Sequence, residues 1–364
     1  MNDFAGEVQT KLARVRSLMQ AQSVDVVWLR SVNNVAWITG GVDVAVNTAD
    51  TEGVASVVIT PEKATVWTNA IEAPRLRAAD DVEGRGFELR FAPWEQAMPI
   101  ELGGALGVDM ALEGAKDISR ELNLLRARLL PVEQDRFRTL SVNCAEAMQR
   151  AINRVKPGSS EHELAAALGY ETRGRGITPV VVLVAVDDRI YGVRHPLPTD
   201  KVLEKYAMLV LCGRQYGLVC SVTRLVHFGA LPDDLRQKQV AVATVDTAMI
   251  AASQPGAMLG ELFNVTQQAY ADAGFDGEWK LHHQGGLAGY AAREMLAVPG
   301  EDAALEAGMV CAWNPSITGV KSEDSVLVVE NGVPEVLTAM YGWPTLAVEV
   351  GGHTIERPLI LEID

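Results

Sequence analysis

Residues 209–229 read LVLCGRQYGLVCSVTRLVHFG and hold the most informative pattern of the chain. Two apolar runs flank a turn marked by Gly213 and Gly217, which predicts a pair of neighbouring strands. Leu211 and Val222 lie in these runs, one on either side of the turn. Their aliphatic side chains cannot donate to a hard cation, which prefers carboxylate oxygen or imidazole nitrogen. The pattern therefore predicts a strand pair without metal ligands at these two positions.

The composition is that of an acidic globular protein. The 364 residues are 48% hydrophobic and carry a net charge of −15, so nucleic acid and an anionic membrane surface are poor partners. The first residues show no secretory apolar core, and the longest apolar runs are the length of strands. The four cysteines are scattered without C-x-x-C spacing, which is typical of reduced thiols. We expect a cytoplasmic protein without a cofactor.

The chain predicts two domains with an α/β (α+β) organisation. Residues 4–22 show the spacing of an amphipathic helix, and helical and extended runs then alternate to about residue 130. The residue pattern changes near Pro131, where a long predicted helix begins with apolar residues spaced three and four positions apart. We therefore expect one domain over residues 1–130 and a second over residues 131–364.

Several segments, in order, resemble the pita-bread superfamily of creatinase, prolidase and Xaa-Pro aminopeptidase. The resemblance implies a creatinase-type N-terminal domain followed by a pita-bread domain. The segments that carry it are KLARVRSLMQAQSVDVVWLRSVNNVAWITGG at residues 11–41, AEAMQRAINRVKPGSSEHELA at 145–165, RHPLPTDKVLEKYAMLVLCG at 194–213, HHQGGLAGYAARE at 282–294 and EAGMVCAWNPSITGVKSEDSVLVVENG at 306–332.

The resemblance also implies a metal shell that this sequence does not reproduce. The superfamily binds two divalent ions with two aspartates, one histidine and two glutamates. The corresponding positions hold Leu211, Val222, Gly286, Asn314 and Glu323, so one carboxylate and one amide remain. Because metal sites need about three or more good ligands, we predict no dinuclear centre and no metal ligand among the site residues.

Three residues are candidates for catalysis. By resemblance, His195 occupies the position of the conserved acid/base histidine, and histidine suits that task because its unperturbed pKa lies near neutrality. His282 aligns with a histidine that contacts substrate. Glu323 is expected to orient a histidine or to receive a proton. Because vicinal side chains of a strand point to opposite sides, at most one of His282 and His283 should face the pocket.

Five further residues are candidates for binding substrate. The arginines suit a substrate carboxylate through their planar fork, and Asn314 is suited to a carbonyl or oxyanion. A small, carboxylate-bearing molecule is therefore the expected partner. The binding set consists of Arg224, Arg293, Asn314, His283 and Arg194.

These residues predict a metal-independent hydrolase of the creatinase kind that cleaves a C–N bond in a small non-peptide substrate, with His195 as general acid and base. Two alternatives stay open. One is a catalytically silent binding protein on the same fold. The other is an Xaa-Pro peptidase-like enzyme with an atypical metal site built from His282, His283 and Glu323. The resemblance further implies a homodimer, with residues 42–51 as a loop that reaches toward the neighbouring subunit.

Overall fold

The computed structural model describes residues 3–364, so Met1 and Asn2 of the predicted first domain lie outside the described residues. The described chain divides into two compact units. The first unit runs to Val132 and includes the short turn at residues 216–218, and the second comprises residues 133–215 and 219–364. None of the helices in the described part combines the length and apolar character that a membrane crossing requires.

The first unit is a mixed sheet flanked by helices, with strand order β4-β3-β2-β1-β5-β6. Strand β2 pairs antiparallel with both β1 and β3, whereas the β1–β5 and β3–β4 pairs are parallel. Its helices are α1 (Phe4–Gln22), α2 (Val32–Ile38), α3 (Ala73–Ala78) and α4 (Ser119–Ala127). Its strands are β1 (Val26–Ser31), β2 (Glu52–Ile59), β3 (Ala64–Asn69), β4 (Glu88–Ala92), β5 (Leu106–Val108) and β6 (Lys116–Asp117).

Helix α1 shows how the sequence sets local structure in this unit. Its buried apolar residues Val8, Leu12, Val15 and Met19 recur every three or four positions, so they form one face of the helix. The Asp3 carboxylate accepts a hydrogen bond from a backbone amide of the first turn and begins the helix.

The second unit contains longer helices and several small sheets. Its helices are α5 (Pro131–Ile152), α6 (Glu161–Arg173), α7 (Asp188–Gly192), α8 (Asp233–Ala252) and α9 (Leu259–Asp272), with a 3-10 turn at Glu278–Leu281. Its strands are β7 (Thr178–Val186), β8 (Tyr206–Gln215), β9 (Leu218–Phe228), β10 (Gly285–Ala288), β11 (Met295–Leu296), β12 (Val310–Trp313), β13 (Ser316–Ile317), β14 (Val320–Lys321), β15 (Asp324–Leu327), β16 (Glu335–Val336), β17 (Thr345–Val350), β18 (His353–Pro358) and β19 (Leu361–Ile363).

Two sheets of the second unit meet at the strand pair β8 and β9. One sheet has the order β19-β9-β8-β7 and the other β11-β10-β12-β15-β16. An antiparallel bridge between Thr223 and Glu323 joins β9 to the residue just before β15. This bridge brings the end of the second sheet beside the middle of β9, and the side chains of the candidate site converge there.

Candidate functional site

A cavity of about 310 Å³ lies in the second unit and collects several of the expected residues. One wall is apolar and the other carries nitrogen and oxygen groups. Its lining consists of Val181, Leu183, His195, Val210, Cys212, His283, Ala292, Arg293, Asn314, Lys321 and Glu323.

Strands β7 and β8 form the apolar wall. Their antiparallel register places Leu183 opposite Val210 and Val181 opposite Cys212. Burial, aided by the nearby Glu323 charge, raises the pKa of the Cys212 thiol to about 11, which favours the protonated, unreactive form. This wall offers surface for an apolar part of a ligand.

Three histidines converge at the polar side of the cavity: His195 and His283 line it, and the His282 ring lies against both. His195 follows α7 in a loop that is tied to β7, since the Val184 amide donates to the Pro196 carbonyl at 3.1 Å. His282 and His283 lie between the 3-10 turn and β10. One ring nitrogen of each histidine lies within 4.8 Å of those of the other two. The Nε2 atoms of His195 and His282 are 2.9 Å apart.

The tautomer of His282 follows from its neighbours. Its Nδ1 lies 2.6 Å from the His283 carbonyl oxygen, which can only accept, so Nδ1 donates. In the neutral ring, Nε2 then carries a lone pair directed at His195. Burial, together with the charge of Lys321, lowers the pKa of His282 to about 3. The ring is therefore neutral at pH 7.

The other two rings are also biased toward the neutral form. Burial, reinforced by Arg293, lowers the pKa of His283 to about 4. Burial and Lys321 lower the pKa of His195 as well, against the opposing charge of Glu323. The cluster therefore presents uncharged imidazoles.

Of the two vicinal histidines only His283 lines this cavity, but the two side chains do not point to opposite sides as those of a strand would. The rings of His282 and His283 stack with centroids 4.4 Å apart, and both lie near the His195 ring, at 4.7 and 5.8 Å. The physical reason is that the two residues precede β10 and belong to no paired strand, so the alternation of a pleated strand does not apply.

Glu323 is buried and both of its carboxylate oxygens are engaged. Oε2 accepts hydrogen bonds from Thr223 at 2.5 Å and from Lys321 Nζ at 2.8 Å, while Oε1 accepts from Arg293 at 3.1 Å. Burial raises the pKa of this carboxyl, but the charges of Lys321 and Arg293 and the hydrogen bonds outweigh burial and hold the pKa at about 2. A carboxylate so held orients two cations and does not exchange protons near pH 7.

Lys321 and Arg293 make the polar wall cationic. With Glu323, these three groups sum to one positive charge. The Arg293 guanidinium donates to Glu323, to the Ala292 carbonyl and to the Ser221 hydroxyl, yet its Nε is buried without a hydrogen-bond partner. Lys321 was missed by the sequence analysis as a lining residue. One indication of this role was present in the sequence: Lys321 lies two residues before Glu323, the only carboxylate at the five positions implied by resemblance.

Asn314 presents an acceptor to the cavity. Its backbone amide donates to the Gln284 carbonyl at 3.1 Å, which ties the start of the β12–β13 turn to the histidine segment. Its side-chain Oδ1 is buried without a hydrogen-bond partner. A buried amide oxygen left in this way costs free energy unless a ligand or water donates to it.

The structure does not bring Arg224 and Arg194 to this cavity. The buried Arg224 guanidinium pairs with Asp324 at 2.9 Å and donates to the Thr338 carbonyl. Arg194 pairs with Glu278 at 2.7 Å. Both arginines are engaged in ion pairs that hold the fold, so we withdraw them from the substrate-binding set.

The residues at the five positions implied by resemblance do not fit a dinuclear metal cluster. Leu211 and Val222 are fully buried aliphatic side chains. At Gly286 an added Cβ would lie 2.0 Å from the Met295 carbonyl oxygen, so this backbone has no room for a histidine. Asn314 offers one amide, and the Glu323 oxygens already accept from Lys321, Thr223 and Arg293.

Two family models together match residues 11–330 of the chain. The family model described as "Metallopeptidase family M24" matches residues 135–330, and that described as "Creatinase/Prolidase N-terminal domain" matches residues 11–166. The Xaa-Pro dipeptidase of Pyrococcus horikoshii is 21% identical over 345 residues, covering 88% of this chain and 95% of that protein.

Solved structures show the same fold. The prolidase from Pyrococcus horikoshii OT3 has a TM-score of 0.76 at 20% identity and covers 91% of this chain and 98% of its own. The Xaa-Pro dipeptidase from Bacillus anthracis has a TM-score of 0.75 at 18% identity and covers 98% and 100%. The predicted resemblance and the two-domain α/β fold are confirmed.

The same findings contradict the prediction of a metal-independent hydrolase acting on a non-peptide C–N bond. The matched family is one of metallopeptidases, and the relatives described above include Xaa-Pro dipeptidases. The alternative of an Xaa-Pro peptidase-like enzyme agrees better with them. The error came from equating the loss of ligands at five positions with the loss of metal chemistry, although other donors can converge elsewhere in the fold.

Proposed function

We propose that this chain, which belongs to metallopeptidase family M24, is a peptidase that hydrolyses small peptides of the Xaa-Pro kind. The observation that carries the proposal is one cavity in which a cationic wall, an unpartnered amide acceptor and an apolar wall meet His195 and His283. The curated relative from Pyrococcus horikoshii is an Xaa-Pro dipeptidase, which supports the substrate class.

A dipeptide matches the cavity in size and in polarity. A volume of about 310 Å³ lies at the low end for small-molecule sites and suits a short substrate. Arg293 and Lys321 would bind the terminal carboxylate, since charge-assisted hydrogen bonds are strong in a partly dry site. The Asn314 Oδ1 would accept from the substrate ammonium, and Val181 and Leu183 would contact the proline ring.

The hydrolysis is a simple exchange of bonds. The oxygen of water adds to the amide carbon, the C–N bond breaks, and a proton of that water passes to the leaving nitrogen, which gives a free amino acid and proline. We place the activation of water at the cluster of His195, His282 and His283, two of which line the cavity. Glu323 holds Lys321 and Arg293 in position for the substrate carboxylate.

A dipeptide panel tests the proposal. The purified protein is incubated with Gly-Pro, Ala-Pro and Leu-Pro, with the reversed Pro-Ala, and with Ala-Pro amide, each with Mn²⁺, Co²⁺ or Zn²⁺, and released proline or proline amide is measured by mass spectrometry. We expect kcat/KM at least about tenfold higher for Ala-Pro than for its amide, because the amide lacks the charge that Arg293 binds. No turnover of any dipeptide by folded protein refutes the proposal.

We further propose a cytoplasmic homodimer. All four cysteines are free and buried, as expected in a reducing compartment. In the segment of residues 42–51, Val46 is 64% exposed, and contact with a second copy would cover this apolar side chain. Light scattering on wild type and Val46→Asp tests the dimer: a monomeric wild type refutes it, and a monomeric variant supports the assigned loop.

A further inference from the structure

We propose that His195, His282 and His283 form a binding site for one transition-metal ion, separate from the five positions that the resemblance assigns to metal. One ring nitrogen from each side chain already lies within 4.8 Å of the others. The site rests on the same cavity as the proposed function, and it is tested without substrate so that the two can fail separately.

The hydrogen bonding orients two of the three donors. His282 Nδ1 donates to the His283 carbonyl, so its Nε2 lone pair points away from the backbone toward His195. Metal-binding histidines commonly use their second nitrogen in this way, because the bond fixes both tautomer and ring orientation. Without a cation, the 2.9 Å contact between the Nε2 atoms of His282 and His195 requires a proton between two imidazoles. A metal ion in place of that proton satisfies both lone pairs.

An independent observation comes from His283. Its Nδ1 is buried and has no hydrogen-bond partner. Such an atom is uncommon in a folded protein and indicates a missing ligand, ion or water. The Asn314 Oδ1 and the Arg293 Nε, also buried and unpartnered, belong to lining residues of the same cavity. Three orphaned polar atoms at one cavity mark a place built to be occupied.

The donor type selects the metal. Three neutral imidazole nitrogens suit Zn²⁺, Co²⁺, Ni²⁺ or Cu²⁺, whereas Mg²⁺ and Ca²⁺ prefer oxygen. Tetrahedral ligands at zinc–nitrogen distances lie about 3.4 Å apart, so ring rotations would have to open the 2.9 Å contact between His195 and His282 slightly and shorten any wider spacing in the cluster. Three protein ligands also leave the fourth position open, as in catalytic rather than structural sites.

The surroundings limit the affinity. The nearby Lys321, Arg293 and Glu323 sum to one positive charge, and the three ligands add no negative charge. The site therefore repels a divalent cation, which weakens binding. We expect an added small anion to strengthen metal binding, because the anion can occupy the fourth coordination position of the metal.

Cobalt substitution tests the site. Chelator-stripped protein is titrated with Co²⁺ alone while its visible absorption is recorded, and bound metal is counted by elemental analysis. We expect one ion per chain and the intense bands of a four-coordinate site. His195→Ala, His282→Ala and His283→Ala should each weaken binding by more than about 100-fold. His162→Ala is the control, because this exposed histidine lies on α6 outside the cavity.

The Glu323→Gln variant distinguishes the three-histidine site from the alternative in which His282, His283 and the Glu323 carboxylate bind the metal. Because both Glu323 oxygens already accept from Lys321, Thr223 and Arg293, the variant should keep the cobalt spectrum. Loss of the spectrum in folded Glu323→Gln overturns the three-histidine assignment. Two ions per chain, binding that survives His195→Ala, or no saturable binding also overturns it, and circular dichroism confirms that each variant is folded.

Discussion

The ionised state of Glu323 can be measured through the stability of the protein. The carboxyl has a pKa of about 2 in the folded chain, against an ordinary value of 4.5, because Lys321, Arg293 and the bond from Thr223 outweigh its burial. A shift of about 2.5 units corresponds to roughly 3 kcal/mol at neutral pH. The perturbation is Glu323→Gln, which keeps the shape and removes the titrating group.

The sign follows from proton linkage. A carboxyl whose pKa is lowered on folding stabilises the folded state above its unfolded pKa, and this stabilisation is lost as the pH falls toward the folded pKa. For Glu323 the window runs from about pH 4.5 down to about pH 2. Between pH 6 and pH 3.5 the difference in unfolding free energy between wild type and variant should shrink by roughly 1.4 kcal/mol.

Urea denaturation at a series of pH values measures this difference in chelator-treated protein. Because the amide does not titrate, any constant cost of the substitution cancels in the pH dependence. A difference that stays flat from pH 6 to pH 3.5 would show that Glu323 is not held as a buried carboxylate. Glu323 could then exchange protons near neutral pH, as the sequence predicted, and it would not be a residue that only positions Lys321 and Arg293.

Other variants test the remaining steps. Lys321→Met removes one positive charge beside the histidines and should tighten Co²⁺ binding about tenfold; unchanged affinity would contradict the electrostatic argument. Arg293→Gln should raise KM for Ala-Pro about tenfold with little change in kcat, whereas Arg138→Gln, at a partly exposed ion pair outside the cavity, should leave both unchanged. Gly286→His should destabilise by about 3 kcal/mol in thermal unfolding, because its Cβ meets the Met295 carbonyl; a stable variant would mean that a histidine fits. Arg357→Met removes the buried cation paired with Asp246 and one of the two paired with Asp324, and it should cost about 3–5 kcal/mol in urea unfolding, a loss that near-wild-type stability would disprove.

Much of the local structure was predictable from residue patterns. The helix expected over residues 4–22 is observed as Phe4–Gln22, and the strand pair expected within residues 209–229 is observed as Tyr206–Gln215 and Leu218–Phe228. These elements follow the periodicity of apolar residues and the capping groups, which act within a few positions of each other. The segments that resemble the superfamily, and that occur in the expected order along the chain, also gave the family, which the matched family models confirm.

The site was predicted only in part. His195, His283, Arg293, Asn314 and Glu323 line the cavity, whereas Lys321 and the apolar wall were overlooked. The approach of residues more than 80 positions apart, such as His195 and His282, depends on how β7, α7 and β10 are placed, and no local pattern encodes that distance.

Sequence alone determined which donor groups are missing, because Leu211 and Val222 have no ligand atom in any conformation. Only the tertiary structure decided which of the remaining side chains lie together. It paired Arg224 with Asp324 and Arg194 with Glu278, and it turned both neighbouring histidines toward His195. A side chain's chemistry is fixed by its atoms, but its partners are fixed by packing, which balances charge and burial across the whole unit.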